Sequence, residues 1–347
     1  MNQIIKISVI IPVYNAADLI PRAVGSVVMQ EFTDYELILV DDGSTDGSYE
    51  VCDDLAANDM HIRVIHKENG GVSSARNAGI LAAKGEFVMF IDADDAIRDG
   101  SLEEMYSKGS DFVLAGFEKI EGISRTESYT PPGKAYYSGT DEICCFFDKV
   151  LPKKNTYILN SACFKLFRRS VLMDKNIRFV EGLSFAEDKV FVMSFLENVQ
   201  KVRTVPSIVY SYFIQPSSLS SDMSSDKHIM EVIRLLECYD PVLKKLEDRY
   251  CGSVRISALY HRDLVGRYVC RILGIFATRK TELLSKEAIS RMYGYIGKDT
   301  SAGIFSLRFG QIPNMLLYRI GKPGLTVAFY RFTSFISSIF RKSYGKI

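Results

Sequence analysis

The sequence predicts a doubly wound α/β fold with a mostly parallel sheet, and three observations carry that prediction. Residues 6–13, 36–41 and 87–92 are continuous apolar runs, the first largely β-branched, as strands buried on both faces of a parallel sheet are written. Helically spaced apolar residues fill the intervals between such runs. Each run also ends in a polar cluster, where α/β sheets bind ligands outside the carboxyl ends of their strands.

In chain order, the strand over 6–13 is followed by Asn15, which suits the cap of a helix over 17–29 with Leu19, Ile20, Ala23, Val24, Val27 and Val28 on one face. A second strand, 36–41, ends in DDGSTDGS, and a helix follows to about Asn58. A third strand, 62–66, runs into ENGGVSSARN and a helix over 72–83. The run 87–92 ends in Asp92, Asp94 and Asp95, and a fifth strand is expected over 111–116. The pairs Tyr14-Asn15 and Asp41-Asp42, the stretch 69–77 and the aspartates of 92–95 would therefore converge on one crevice.

Past Glu118 the periodicity weakens, and TPPG at 130–133 marks a surface loop. A helix is expected over 140–150, and residues 184–188 would open another that carries Val190, Phe191, Met193, Ser194 and Leu196. Strands over 202–205 and 208–213 precede the serine-rich QPSSLSS. From Asp226 the pattern is helical, with apolar spacing over 229–246 and 254–276.

The chain's 347 residues, 47% hydrophobic and 24% charged, suffice for a full core and exclude a disordered protein. Charge is divided unevenly along it. Residues 1–120 hold 9 Lys and Arg against 21 Asp and Glu, whereas residues 121–347 hold 34 against 21. The first part suits a cation and the second an anionic surface. Seven scattered cysteines without paired CxxC spacing fit reduced thiols better than a disulfide framework or a zinc cluster. No leader is visible at MNQIIKISVIIPVYN, and no apolar run reaches the roughly 20 residues of a spanning helix.

Three carboxylates crowded at a strand tip repel one another unless a cation or ligand compensates them. Mg²⁺ and Mn²⁺ do so with one or two carboxylates plus substrate phosphates. The alternative is an acidic turn whose aspartates cap a helix beginning near Ser101. Beyond Asp299 no acidic residue remains, while seven Lys and Arg do. Leu325, Ala328, Phe329, Phe332, Phe335, Ile336, Ile339 and Phe340 follow helical spacing there. That pattern, from about residue 301, fits an interfacial helix on an anionic bilayer, or a helix packed on the protein's own core.

VIIPVYN, VDDGSTDGS, GGVSSARNAG and FIDADD stand in order, and together they resemble family 2 glycosyltransferases of the GT-A fold. The resemblance is strong over residues 5–120 and weaker to about 221, through NSACFKLFRRSVL, FAED and YSYFIQPSSLS. It implies a GT-A domain over 1–221, with a nucleotide-binding half to about 120 and an acceptor half beyond, followed by a helical region over 222–347. It also implies that Pro12, Tyr14, Asn15, Asp42, Arg76, Asp92, Ala93 and Asp94 bind the donor. In that family's pattern Tyr14 packs on the nucleotide base, Asp42 accepts from the uracil N–H, and Arg76 contacts base or phosphate. Gly70 and Gly71 let backbone approach the ligand or simply allow a tight turn.

Asp94, with Asp92 and more weakly Asp95, would hold Mg²⁺ or Mn²⁺ on the diphosphate, while Asp188 matches the catalytic base and Glu187 is the lesser candidate. Lys165, Ser217 and Ser218 could touch the diphosphate or shape the acceptor site.

The implied activity is inverting, metal-dependent transfer of a hexosyl or N-acetylhexosaminyl group from a nucleotide sugar, most simply a UDP-sugar, to a glycan acceptor, expected to be lipid-linked, in cell-surface polysaccharide synthesis. The setting would be cytoplasmic, at the inner face of the membrane, with no nucleic-acid partner. A sugar nucleotidyltransferase is one rival, although no glycine- and arginine-rich triphosphate loop precedes a lysine near the N-terminus. A non-catalytic sugar- or nucleotide-binding protein is the other.

Overall fold

The computed structural model describes residues 5–133, 135–151, 156–183, 185–214 and 226–250. Strand β1 (Ile7–Val13) pairs in parallel with β2 (Tyr35–Asp41) on one side and with β4 (Phe87–Phe90) on the other. Strand β3 (Ile62–His66) extends the sheet beyond β2, again in parallel. The chain thus winds outward from β1 and then returns to its other side, so the switch of direction falls between β1 and β4. Nearly all of β1, β2 and β4 is buried, as their unbroken apolar runs require.

Helices α1 (Ile20–Val28), α2 (Ser48–Asn58) and α3 (Val72–Ala82) connect these strands. Helix α3 packs on β1 and β2. Gly79 permits the approach to β1, since a Cβ there would lie 2.4 Å from Ile10 Cγ2. Helix α1 begins later than its apolar pattern suggests. Pro21 occupies its first turn, and Asn15 does not cap it. Asn15 instead adopts φ 49° and accepts from the Thr45 N–H at 2.8 Å, which ties the loop after β1 to the loop after β2.

After the short strand β5 (Ala96–Ile97), helix α4 (Ser101–Met105) starts at Gly100, whose φ of +74° makes the turn. No aspartate caps it, so the reading of 92–95 as a helix cap is wrong. Strand β6 (Phe112–Glu121) is longer than expected and folds back as β7 (Ser124–Tyr129). Strand β8 (Tyr136–Ser138) leads into α5 (Gly139–Val150), and a 3₁₀ turn spans Thr156–Leu159.

Strand β9 (Lys165–Arg168) inserts antiparallel between β4 and β6, and α6 (Arg169–Asp174) follows. Charges at both ends of KLFR hide this central strand from a hydropathy pattern. The two strands expected over 202–213 are one, β10 (Lys201–Phe213), which carries a register shift between Thr204 and Ile208. Pro206 lies inside that shift, where a missing N–H is tolerated. The finished sheet runs β3-β2-β1-β4-β9-β6-β10-β5 and is mixed, with the β3-β2-β1-β4 half wholly parallel.

Helix α7 (Glu187–Leu196) buries an aromatic cluster in which the rings of Phe179 and Phe191 stack at 3.9 Å, and Phe90 meets both rings edge-on. Helix α8 (Asp226–Arg249) runs through Pro241. Two compact units divide the chain: Met1–Leu219 with Lys245–Ser253, and Ser220–Lys244 with Val254–Ile347. No helix among the described residues is long and apolar enough to cross a membrane. The expected helix over 254–276, QPSSLSS and the amphipathic tail lie outside the described residues.

Candidate active site

The loops after β1, β2 and β3 are laced together at the carboxyl ends of their strands. Tyr14 follows β1 and is 54% exposed, beside the half-buried Pro12, and the N–H of Asn15 donates to Ser44 Oγ at 3.1 Å. Asp42 is buried. It accepts from Lys67 Nζ at 2.6 Å and from the N–H groups of Gly70 and Gly71 at 3.0 and 2.7 Å. Gly71 adopts φ +84°, so the turn at 70–71 is the reason for glycine, and its amides face a carboxylate of the chain itself. Each Asp42 oxygen thus has two donors, Lys67 Nζ and the Gly70 N–H on Oδ1, and the Gly70 and Gly71 N–H groups on Oδ2 at 3.2 and 2.7 Å.

Beneath this loop His66 lies between Asp41 at 3.0 Å and Asp53 at 3.1 Å, with Tyr49 stacked on it at 3.7 Å. Burial pulls the imidazole down, but the two carboxylates outweigh it and hold its pKa above the ordinary value.

The turn after β4 closes with the Asp95 N–H on the Asp92 carbonyl at 3.0 Å. Asp95 points inward and is fully buried. It accepts from Tyr210 Oη at 2.6 Å and from the Phe213 N–H at 2.9 Å. Burial, then the charge of Asp92, push it up to about 8. Asp95 therefore anchors the turn to β10, and both its oxygens are engaged away from any cation in the crevice. That geometry corrects its place among the metal ligands.

Asp92 and Asp94 are only partly buried and flank Ala93. Asp94 is raised by burial and then by Asp92, and it forms no ion pair among the described residues. Arg76 on Asp92 and the charge of Arg22 compensate this repulsion only in part, and a hard divalent cation would relieve the rest, so Asp92 and Asp94 fit Mg²⁺ or Mn²⁺ completed by phosphate oxygens. Among the described residues no three His, Cys, Asp or Glu side chains gather as a metal cluster on their own.

Arg76, on α3, is buried. Its buried guanidinium donates through Nη1 to Asp188 Oδ1 at 2.6 Å and through Nη2 to Asp92 Oδ1 at 2.8 Å, with Glu187 Oε1 at 3.5 Å. Burial alone would lower its pKa, but Asp188 and Asp92 hold it above the ordinary value. The next residue, Asn77, clamps the loop before α7, accepting from the Phe179 N–H at 2.8 Å and donating to the Phe179 carbonyl at 3.0 Å.

Glu187 and Asp188 form the first turn of α7, entered through Ala186 at φ 58°. Two of the four described non-glycine residues at positive φ adjoin candidate site residues: Asn15, beside Tyr14, and Ala186, beside Glu187. Burial and then Asp188 push Glu187 up to about 7. Burial also raises Asp188 despite Arg76, and its second oxygen accepts from the Ala162 N–H at 2.9 Å. A raised carboxylate is a stronger base than a solvated one.

Lys165 does not reach the crevice. It is fully buried, donates to the Ser161 and Cys163 carbonyls at 2.6 and 3.2 Å, and is lowered by burial. Its contacts shape the loop that presents the Ala162 N–H. Ser217 and Ser218 lie outside the described residues. Sequence reasoning did not find Arg22, Lys67 or Tyr210 at the site, because nothing local to those positions announces a contact with Asp94, Asp42 or Asp95.

A mixed α/β sheet of this order gathers carboxylates at its switch point. The family model described as glycosyl transferase family 2 matches residues 8–174. The uncharacterized glycosyltransferase YibD of Escherichia coli (strain K12) is 30% identical over 278 residues, 76% of this chain and 77% of YibD. The uncharacterized glycosyltransferase EpsJ of Bacillus subtilis (strain 168) is 32% identical over 235 residues, 65% of this chain and 67% of EpsJ.

The crystal structure of S. aureus TarS 1–349 in complex with UDP shares the fold, with a TM-score of 0.68 at 21% identity over 98% of this chain and 93% of that chain. TarS is described as a poly(ribitol-phosphate) β-N-acetylglucosaminyltransferase. The chain belongs to glycosyl transferase family 2, and it is a glycosyltransferase.

Proposed function

We propose that this enzyme transfers one sugar from a UDP-sugar, with inversion, to a hydroxyl of a glycan acceptor in cell-surface polymer synthesis. One observation carries the reading: a single buried guanidinium bridges Asp92, at the switch point, to Asp188, at the start of α7. It sets carboxylates suited to a leaving diphosphate beside one suited to deprotonating an acceptor. The UDP complex of TarS and the poly(ribitol-phosphate) in that protein's name support the donor and a polymeric acceptor.

In the proposed reaction the acceptor hydroxyl attacks the anomeric carbon from the face opposite the nucleotide. Its proton passes to Asp188 as the new carbon–oxygen bond forms. The bond to the diphosphate oxygen breaks and UDP departs, so one displacement inverts the centre. Glu187 lies beside Arg76 and shares its charge with Asp188. Asp92 and Asp94 would hold a divalent ion, whose positive charge offsets that developing on the leaving diphosphate.

A lipid-linked acceptor and attachment to the inner face of an anionic membrane are further parts of the proposal, supported by the basic, aromatic pattern of residues 301–347. The test is nucleotide release from a panel of sugar donors with and without Mn²⁺. Metal-stimulated UDP release supports the reading, whereas pyrophosphate release or no nucleotide product overturns it.

A further inference from the structure

The turn that carries Asp94 is gripped from two directions. From β10, Tyr210 Oη donates to Asp95 and accepts from the Asp92 N–H at 3.2 Å, while the Phe213 N–H holds the other Asp95 oxygen. From α1, Arg22 donates through Nη2 to the Asp94 carbonyl oxygen, and its guanidinium lies 3.9 Å over the ring of Phe213. Phe213 is thus the common post, because its backbone holds Asp95 and its ring seats Arg22. Arg22 is exposed, forms no ion pair among the described residues, and offsets part of the repulsion Asp94 feels from Asp92.

An arginine suits this post for physical reasons. Its flat guanidinium stacks on an aromatic face and donates in a fixed direction at the same time, which the rounded ammonium of lysine does not do. The carbonyl it holds belongs to Asp94 itself, so a shift in the turn moves that carboxylate. We propose that Arg22, seated on Phe213, is a positioning residue for the donor's diphosphate and its metal, fixing the turn that presents Asp94. The proposal rests on the reading of Asp92 and Asp94 as the metal-diphosphate site.

The test is calorimetric titration of the full-length protein with UDP, in Mn²⁺ and again in EDTA, for the wild type, Arg22→Lys, Arg22→Ala, Phe213→Ala and the double variant Arg22→Ala/Phe213→Ala. Phe213→Ala keeps the backbone N–H on Asp95 and removes only the seat of Arg22. Arg22→Ala should weaken UDP binding in Mn²⁺ by about tenfold, the worth of one charge-assisted hydrogen bond. Phe213→Ala should lose a similar factor, the double variant no more than either alone, and Arg22→Lys an intermediate one.

Binding in EDTA and the melting temperature should hold, which separates positioning of the metal-diphosphate from loss of the fold. Unchanged affinity in Arg22→Ala, or losses that multiply in the double variant, would overturn the proposal. A wild type whose UDP affinity Mn²⁺ does not increase would overturn the metal-diphosphate reading and the proposal with it.

Discussion

Replacing Arg76 by alanine removes the cation that pairs with Asp92, Asp188 and Glu187 among the described residues. The Arg76 side chain is 4% exposed, and those of Asp188 and Glu187 are 14% and 16% exposed, so two carboxylates are left in a site largely closed to water. Breaking a buried ion pair by deleting one partner costs about 3–5 kcal/mol. Asp92 is 32% exposed, and solvent screens its share, so the loss should lie near the low end, about 3 kcal/mol.

The sign with pH follows from the carboxylates. Arg76 holds them down, so without it they take up protons more readily, and protonation removes the repulsion. The stability lost in Arg76→Ala should therefore be largest well above pH 7 and should shrink as pH falls toward the ordinary carboxylate range. Urea unfolding at several pH values measures this directly. The acid limb of the activity profile should also move to higher pH, because the base is protonated over a wider range. A loss below about 1 kcal/mol, or one that does not vary with pH, would show that the bridge behaves as a solvent-screened surface pair and would refute the reasoning.

Asp94→Asn should weaken Mn²⁺ binding by about tenfold or more, whereas Asp95→Asn should chiefly lower the melting temperature, since its oxygens hold Tyr210 and Phe213; Mn²⁺ titration followed by electron paramagnetic resonance separates the two. His66 has a raised folded pKa, so its pairing contributes stability that is fully present below its ordinary value and is lost as pH rises through the folded one. His66→Gln should accordingly melt below the wild type at about pH 6 and approach it above about pH 8, and a gap constant across that window would count against the pairing. Removing residues 301–347 should abolish co-sedimentation with anionic vesicles, and undiminished partitioning would take the tail out of the membrane proposal.

Much of the N-terminal, parallel half was legible because its signals are local. The runs of β1, β2 and β4 need no partner to be read as buried strands, and the clusters after them fall at a switch point by topology alone. The failures share a cause. Asp95 looks like a third metal ligand until Tyr210, 115 positions later, takes its oxygen. Nothing local to Arg76 announces its pairing with Asp188, 112 positions later.

Asn15 has the residue type of a helix cap, but the Thr45 amide competes for its side chain and Pro21 delays the helix. Strand β9 was hidden because its pairing is antiparallel among parallel neighbours and its first residue is a fully buried lysine satisfied by two carbonyls. In each case a tertiary partner, invisible in a window of ten residues, decides what the side chain does.

The account turns on Asp188 as the base that drives attack. Single-turnover transfer by Asp188→Asn, with UDP binding in Mn²⁺ measured on the same protein, tests it most directly. The account predicts a rate lower by about a hundredfold or more, the worth of general-base catalysis, with UDP affinity within a few-fold of wild type. Undiminished transfer with donor binding intact would contradict it.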